Sequence, residues 1–157
     1  MLKRSPPADP RQPIRAFLSD LIAGRYRRMM EHSGATLKGD PEALHDMRVG
    51  SRRLRSTLQN GRGLYRRRRY RRLESTIEGF TTALGRVRDL DVLIDYLALD
   101  LSSAPVEDRP YLEEMATHLG GRREERRAHM EEVLADLSRP APVARFLAFF
   151  TTDQDDD

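Results

Sequence analysis

Apolar residues recur at helical spacing from Ile14 to Leu137, and no stretch shows the strict alternation of a half-buried strand. Ile14, Phe17, Leu18, Leu21 and Ile22 open the first such stripe, which continues to Met29 and Met30 before Ser33-Gly34 closes it. Asp40-Pro41-Glu42 reads as a helix start, with an N-cap acceptor, a proline whose missing N–H costs nothing at the first helical position, and an acid at the positive dipole end. That second helix is expected to run to about Asn60. A third carries Leu73, Ile77, Phe80 and Leu84, meets Gly85, and resumes through Leu90, Leu93, Ile94, Leu97 and Leu101, so one continuous helix is expected. Leu112, Met115, Leu119, Met130, Val133, Leu134 and Leu137 define a fourth, after a loop from Ser102 to Pro110.

Amphipathic helices joined by short loops bury their stripes against one another, so the expected fold is all-α, an antiparallel four-helix bundle. A chain of 157 residues suits one such domain. Residues 1–13, with four prolines, are expected to form a flexible arm and residues 14–138 the bundle. Residues 139–157 are expected to be a short apolar segment and an acidic tail, with Pro140 and Pro142 ending the fourth helix and no further packed helix beyond them.

Charge is distributed unevenly along this frame. Of 28 basic residues only Lys3 and Lys38 are lysines, which leaves 26 arginines (28 − 2). From His45 to Arg72 eleven arginines accompany a single acid, Asp46, whereas four of the last five residues are Asp. Arginine's planar fork of donors engages phosphate bidentately, so a local cluster of this kind suits a phosphate-bearing partner.

The second helix organises that cluster. Leu44, Met47, Ser51, Leu54 and Leu58 point one seam at the core, while His45, Arg48, Arg52 and Arg55 repeat at the same spacing roughly 110° round the helix. A cationic row beside a buried seam lines a groove between helices, where low-dielectric walls strengthen its field. Such a row, with almost no acids one turn away, calls for a bound anion; the alternative is a solvated helix face. Arg66, Arg67, Arg68, Arg69, Arg71 and Arg72 form a denser block at the entrance to the third helix, with an anion patch and a solvated run equally open. In the fourth helix Arg122, Arg123 and Arg126 occupy the positions between Leu119 and Met130, which makes Arg122 and Arg126 groove candidates.

The run His45-Asp46-Met47-Arg48-Val49-Gly50-Ser51-Arg52-Arg53-Leu54-Arg55 resembles the signature of the CHAD domain, the conserved histidine α-helical domain. Leu84-Gly85-Arg86-Val87-Arg88-Asp89-Leu90-Asp91-Val92 resembles a second element of that family. The resemblance implies a non-catalytic helical module that binds inorganic polyphosphate and is found on polyphosphate granules. It carries the family's basic positions onto His45, Arg48, Arg52, Arg53 and Arg55, with Arg86 and Arg88 from the second motif. It also implies two helical bundles facing each other across a basic channel, of which this chain resembles the first. Either the channel is incomplete here or two chains supply its walls, as a symmetric homodimer would, with Phe146, Phe149 and Phe150 as candidate apolar contacts.

Two other functions are weaker on the residues. A nucleic-acid binder fits the basic pI, but no aromatic residue is interleaved with the second-helix row to stack bases. A phosphate-processing enzyme would need a catalytic or metal constellation. Asp89 and Asp91, two apart on a helix, cannot face one site together, and no HExxH or P-loop pattern occurs, so neither metal nor cofactor is expected. Asp89 is instead expected to pair with a groove arginine. The lack of cysteine points to a reducing, cytoplasmic setting, and the longest apolar run, Phe146 to Phe150, is far too short to span a membrane.

Overall fold

A computed structural model of the protein describes residues 13–65 and 67–152, which form six helices and no strand. They are α1 (Ile14–Met30), the single turn α2 (Ser33–Leu37), α3 (Pro41–Asn60), α4 (Arg67–Ser103), α5 (Arg109–Ser138) and α6 (Pro140–Thr152). Residues 1–12 of the flexible arm expected over residues 1–13 lie outside the described residues, as do the Asp-rich residues 153–157 and Arg66 of the basic block.

The four long helices α1, α3, α4 and α5 pack in sequence, α1 on α3, α3 on α4 and α4 on α5, as the apolar stripes require. Their shared core contains Ile22 and Met29 of α1, Met47, Leu54 and Leu58 of α3, Ile77, Phe80 and Leu84 of α4, and Met130 and Leu134 of α5. The start of α3 follows the expected chemistry. Asp40 has extended backbone angles, and its Oδ1 accepts from the N–H of Glu42 at 2.9 Å and of Ala43 at 3.2 Å, with Pro41 following at the first helical position. Just before it, Gly39 turns the chain at φ +90°, where an L side chain is strained and a Cβ would also meet Arg127 Nη1 at 2.8 Å.

α4 runs its 37 residues without a break through Gly85, as expected for one continuous helix. At the C-terminal end of α3, Gly61 is required by close approach. A Cβ there would lie 2.4 Å from the Tyr70 hydroxyl, which donates to the Leu58 carbonyl at 2.6 Å.

The end of the chain departs from the sequence reading. The fourth long helix, α5, does end at Ser138, ahead of Pro140 and Pro142, but a further packed helix follows: Arg139 breaks α5 with extended backbone, and Pro140 opens α6 as its first residue. Proline is tolerated in a first helical turn because the N–H groups there have no intrahelical acceptor. α6 packs on α1 and α5, and Phe146 and Phe150 are buried in the common core. Phe146 stacks on Tyr26 at 4.4 Å, and Phe150 meets Tyr65 edge-on at 5.4 Å. These rings, with the half-buried Phe149, belong to this chain's own core and are not available as the apolar dimer contacts expected of them.

Candidate functional site

The α3–α4 seam holds Arg48 and Arg55 of the sequence-predicted row. The helices run antiparallel, so Arg55 lies opposite Glu78 and Arg48 lies opposite Gly85 and Asp89. Arg48 Nη2 is 3.6 Å from Asp89 Oδ1, which is the expected pairing of Asp89 with a groove arginine. Arg55 Nη2 donates to Glu78 Oε1. Gly85 adds no side chain here, and a Cβ on it would stand 3.8 Å from Arg48 Nε, so the glycine leaves the Arg48 guanidinium an open flank. His45 and Arg52 are exposed on the same side of α3.

Relief of the like-charged row therefore comes from across the seam rather than along α3. The carboxylates that supply it are wet: the Asp89 side chain is 74% exposed and that of Glu78 51%, against 27% and 35% for Arg48 and Arg55. Pairs of this kind contribute only about 0–1 kcal/mol and exchange readily for another anion. Arg55 Nε is in addition buried with no hydrogen-bond partner among the described residues.

The remaining candidates scatter. Arg53 projects from the opposite flank of α3, towards α1, where the Arg25 guanidinium donates to the Arg53 carbonyl at 2.8 Å and to the Thr57 hydroxyl. Burial, followed by the nearby charges of Arg28 and Arg53, pushes the Arg25 guanidinium below its ordinary value. On α4, Arg88 is half-buried and lies about 60° round from Gly85, continuing the seam, whereas the exposed Arg86 turns about 100° the other way. Arg122 is exposed and Arg126 half-buried on α5.

Arg123 and Arg127, each the next residue after one of those two, hold the fold. Arg123 Nε donates to Asp91 Oδ1 at 2.6 Å, and Asp91 is only 9% exposed. That hydrogen bond is the leading cause that raises the Arg123 guanidinium above its ordinary value, against the opposing effect of burial. Arg127 bridges Glu131 at 2.8 Å and the Leu37 carbonyl at 3.1 Å, tying α5 to α2. The basic block divides in the same way. Tyr70 turns into the core, while Arg68, Arg69, Arg71 and Arg72 are exposed. Just before the block, Arg62 Nε reaches both oxygens of the buried Glu74 at 2.9 and 3.0 Å.

Sequence reasoning missed Glu78 as a counter-charge and Gly85 as the open flank of Arg48. Both depend on the register of α4 against α3, which the spacing within either helix does not carry. Among the described residues no group of three or more His, Asp or Glu is placed to hold a metal ion, and no helix is long and apolar enough to cross a membrane. The family model of the CHAD domain matches residues 20–156, and comparisons with curated proteins and with solved structures give no match.

Proposed function

The chain belongs to the CHAD family, and from that premise we propose that the α3–α4 seam is a binding site for inorganic polyphosphate. The observation that carries this reading is the pairing of a cationic row with wet carboxylates. His45, Arg48, Arg52 and Arg55 span about 15 Å along α3, at about 1.5 Å per residue, and the carboxylates that meet Arg48 and Arg55 across the seam, Asp89 and Glu78, are solvent-exposed. A linear polyanion lying along the seam takes the place of these carboxylates with several phosphates in succession. Arg88 extends the row on α4. Arg53, Arg86, Arg122 and Arg126 contribute a surrounding positive field from other flanks. The module binds without catalysing, and polyphosphate granules in the cytoplasm are the setting that such a ligand implies.

Nucleic acid is the less favoured ligand. Tyr26, Tyr65, Tyr70, Phe80 and Phe150 are buried, and the exposed Tyr96 and Tyr111 stand on the far parts of α4 and α5 rather than among the row on α3, whereas single-strand binders combine a cationic groove with aromatic faces on which the bases stack. Competition between polyphosphate and duplex DNA, at matched phosphate concentration and ionic strength, tests the choice. Polyphosphate is expected to displace most of the bound DNA under those conditions, and the reverse order would overturn the assignment.

A further inference from the structure

α4 and α5 are the longest helices, and both outrun the rest of the bundle. α3 begins at Pro41, and Pro41 lines one small cavity together with Asp91 of α4 and Arg123 of α5. The parts of α4 beyond Asp91 and of α5 before Arg123 therefore extend past the first turn of α3 as a two-helix hairpin. Leu97 and Leu119 are buried between its arms.

A pair of helices can bury only the seam between them, and this hairpin keeps much more apolar surface than that seam uses. Of the eight large apolar side chains exposed among the described residues, six are on it: Leu93, Tyr96, Leu99, Val106, Tyr111 and Met115. The other two, Ile14 and Leu37, are elsewhere. Leu93 and Tyr96 are one turn apart on α4, as are Tyr111 and Met115 on α5. Measured from the inward Leu97 and Leu119, both pairs are displaced in the same rotational sense, and on antiparallel helices this brings them to one broad face.

The charge on the hairpin is also divided. Its distal part carries Asp95, Asp100, Glu107, Asp108, Glu113 and Glu114 against the single base Arg109, while Arg86, Arg88, Arg122 and Arg126 surround its root. A two-fold arrangement with the hairpins antiparallel lays each acidic tip against the partner's basic root and closes the two apolar faces into a four-helix contact.

We propose that the distal halves of α4 and α5 are the surface on which a second copy of this chain docks. Helical arms about 18 Å long and a pair about 20 Å across give a contact of several hundred Å² per chain, at the low end for specific interfaces, so the dimer dissociates in roughly the micromolar range. The docking needs no ligand and does not rest on the polyphosphate reading.

The test is the ligand-free mass of the full chain by sedimentation velocity, from about 1 to about 200 μM, a range that brackets such a dissociation constant. Wild type is expected to move from one chain towards two. Leu93→Glu/Tyr96→Glu is expected to weaken association at least about tenfold by placing charge in the contact, with helix content by circular dichroism unchanged. A chain with Asp100→Lys/Asp108→Lys, the acidic-tip residues turned to the same side as Leu93, Tyr96, Tyr111 and Met115, is expected to pair with one carrying Arg122→Glu/Arg126→Glu better than either pairs with itself, which decides the matter even where the first variant loses helix. A wild type that stays a single chain throughout overturns the proposal and leaves the face to a partner of other chemistry. So does a dimer indifferent to both sets of substitutions.

Discussion

Arg48 meets an exposed carboxylate and Arg123 a buried one, and that difference sorts the arginines by what their loss does. Arg48→Ala removes a wet pair, so stability to urea is expected to change by no more than about 1 kcal/mol. Arg123→Ala strands Asp91, a carboxylate with only 9% exposure. It is expected to cost about 2–3 kcal/mol, somewhat below the value for a fully buried pair because the guanidinium itself reaches solvent. Equal losses from the two would show that the seam is structural. Two buried phenols add a pH signature. Burial raises Tyr26 and Tyr70 above the ordinary tyrosine value, so the folded state holds those protons more tightly than the unfolded chain. Their contribution is fully present below about pH 10 and is lost as pH rises through the folded values. Melting temperature is expected to fall as pH rises above about 10, and to fall less in Tyr70→Phe. An equal fall in that variant would assign the effect to other groups.

At the scale of elements, the helices with clean apolar stripes were legible in the sequence and α6 was not. The Asp40 cap and the seam of Leu44, Met47, Ser51, Leu54 and Leu58 state the start and the inward face of α3 outright. α6 hides because a proline near a helix end reads as a stop, although the same residue suits a first turn, and because the Asp-rich residues beyond it suggest a solvated tail. The polar features of the site were legible only within a helix. The row on α3 follows from its own spacing, but the Arg55–Glu78 pair and the Gly85 opening follow from antiparallel register. If α6 belongs to the core, Phe150→Ala is expected to destabilise the protein by about 3–5 kcal/mol, the range for large aromatic truncations in well-packed sites. A urea midpoint close to that of wild type would show instead that α6 docks weakly.

For the whole molecule, the central claim is that a local basic seam on a nearly neutral chain, with net charge +3, holds a polyanion. Binding through several guanidinium contacts displaces counterions, so affinity for polyphosphate is expected to fall with salt at a log–log slope of about −2 to −3.5. That slope corresponds to three to five neutralised phosphates, by analogy with single-stranded nucleic acid. Slope alone does not locate the site, because Arg53, Arg86, Arg122 and Arg126 would also contribute to it. The measurement that does is the affinity of long-chain polyphosphate for wild type and for Arg48→Ala/Arg52→Ala at one moderate ionic strength, by calorimetry, with melting temperatures taken alongside. Loss of two charge-assisted contacts is expected to weaken binding by at least about tenfold while the ligand-free melting temperature stays near that of wild type. A folded double variant that binds polyphosphate as tightly as wild type would contradict the assignment of the α3–α4 seam as the binding site.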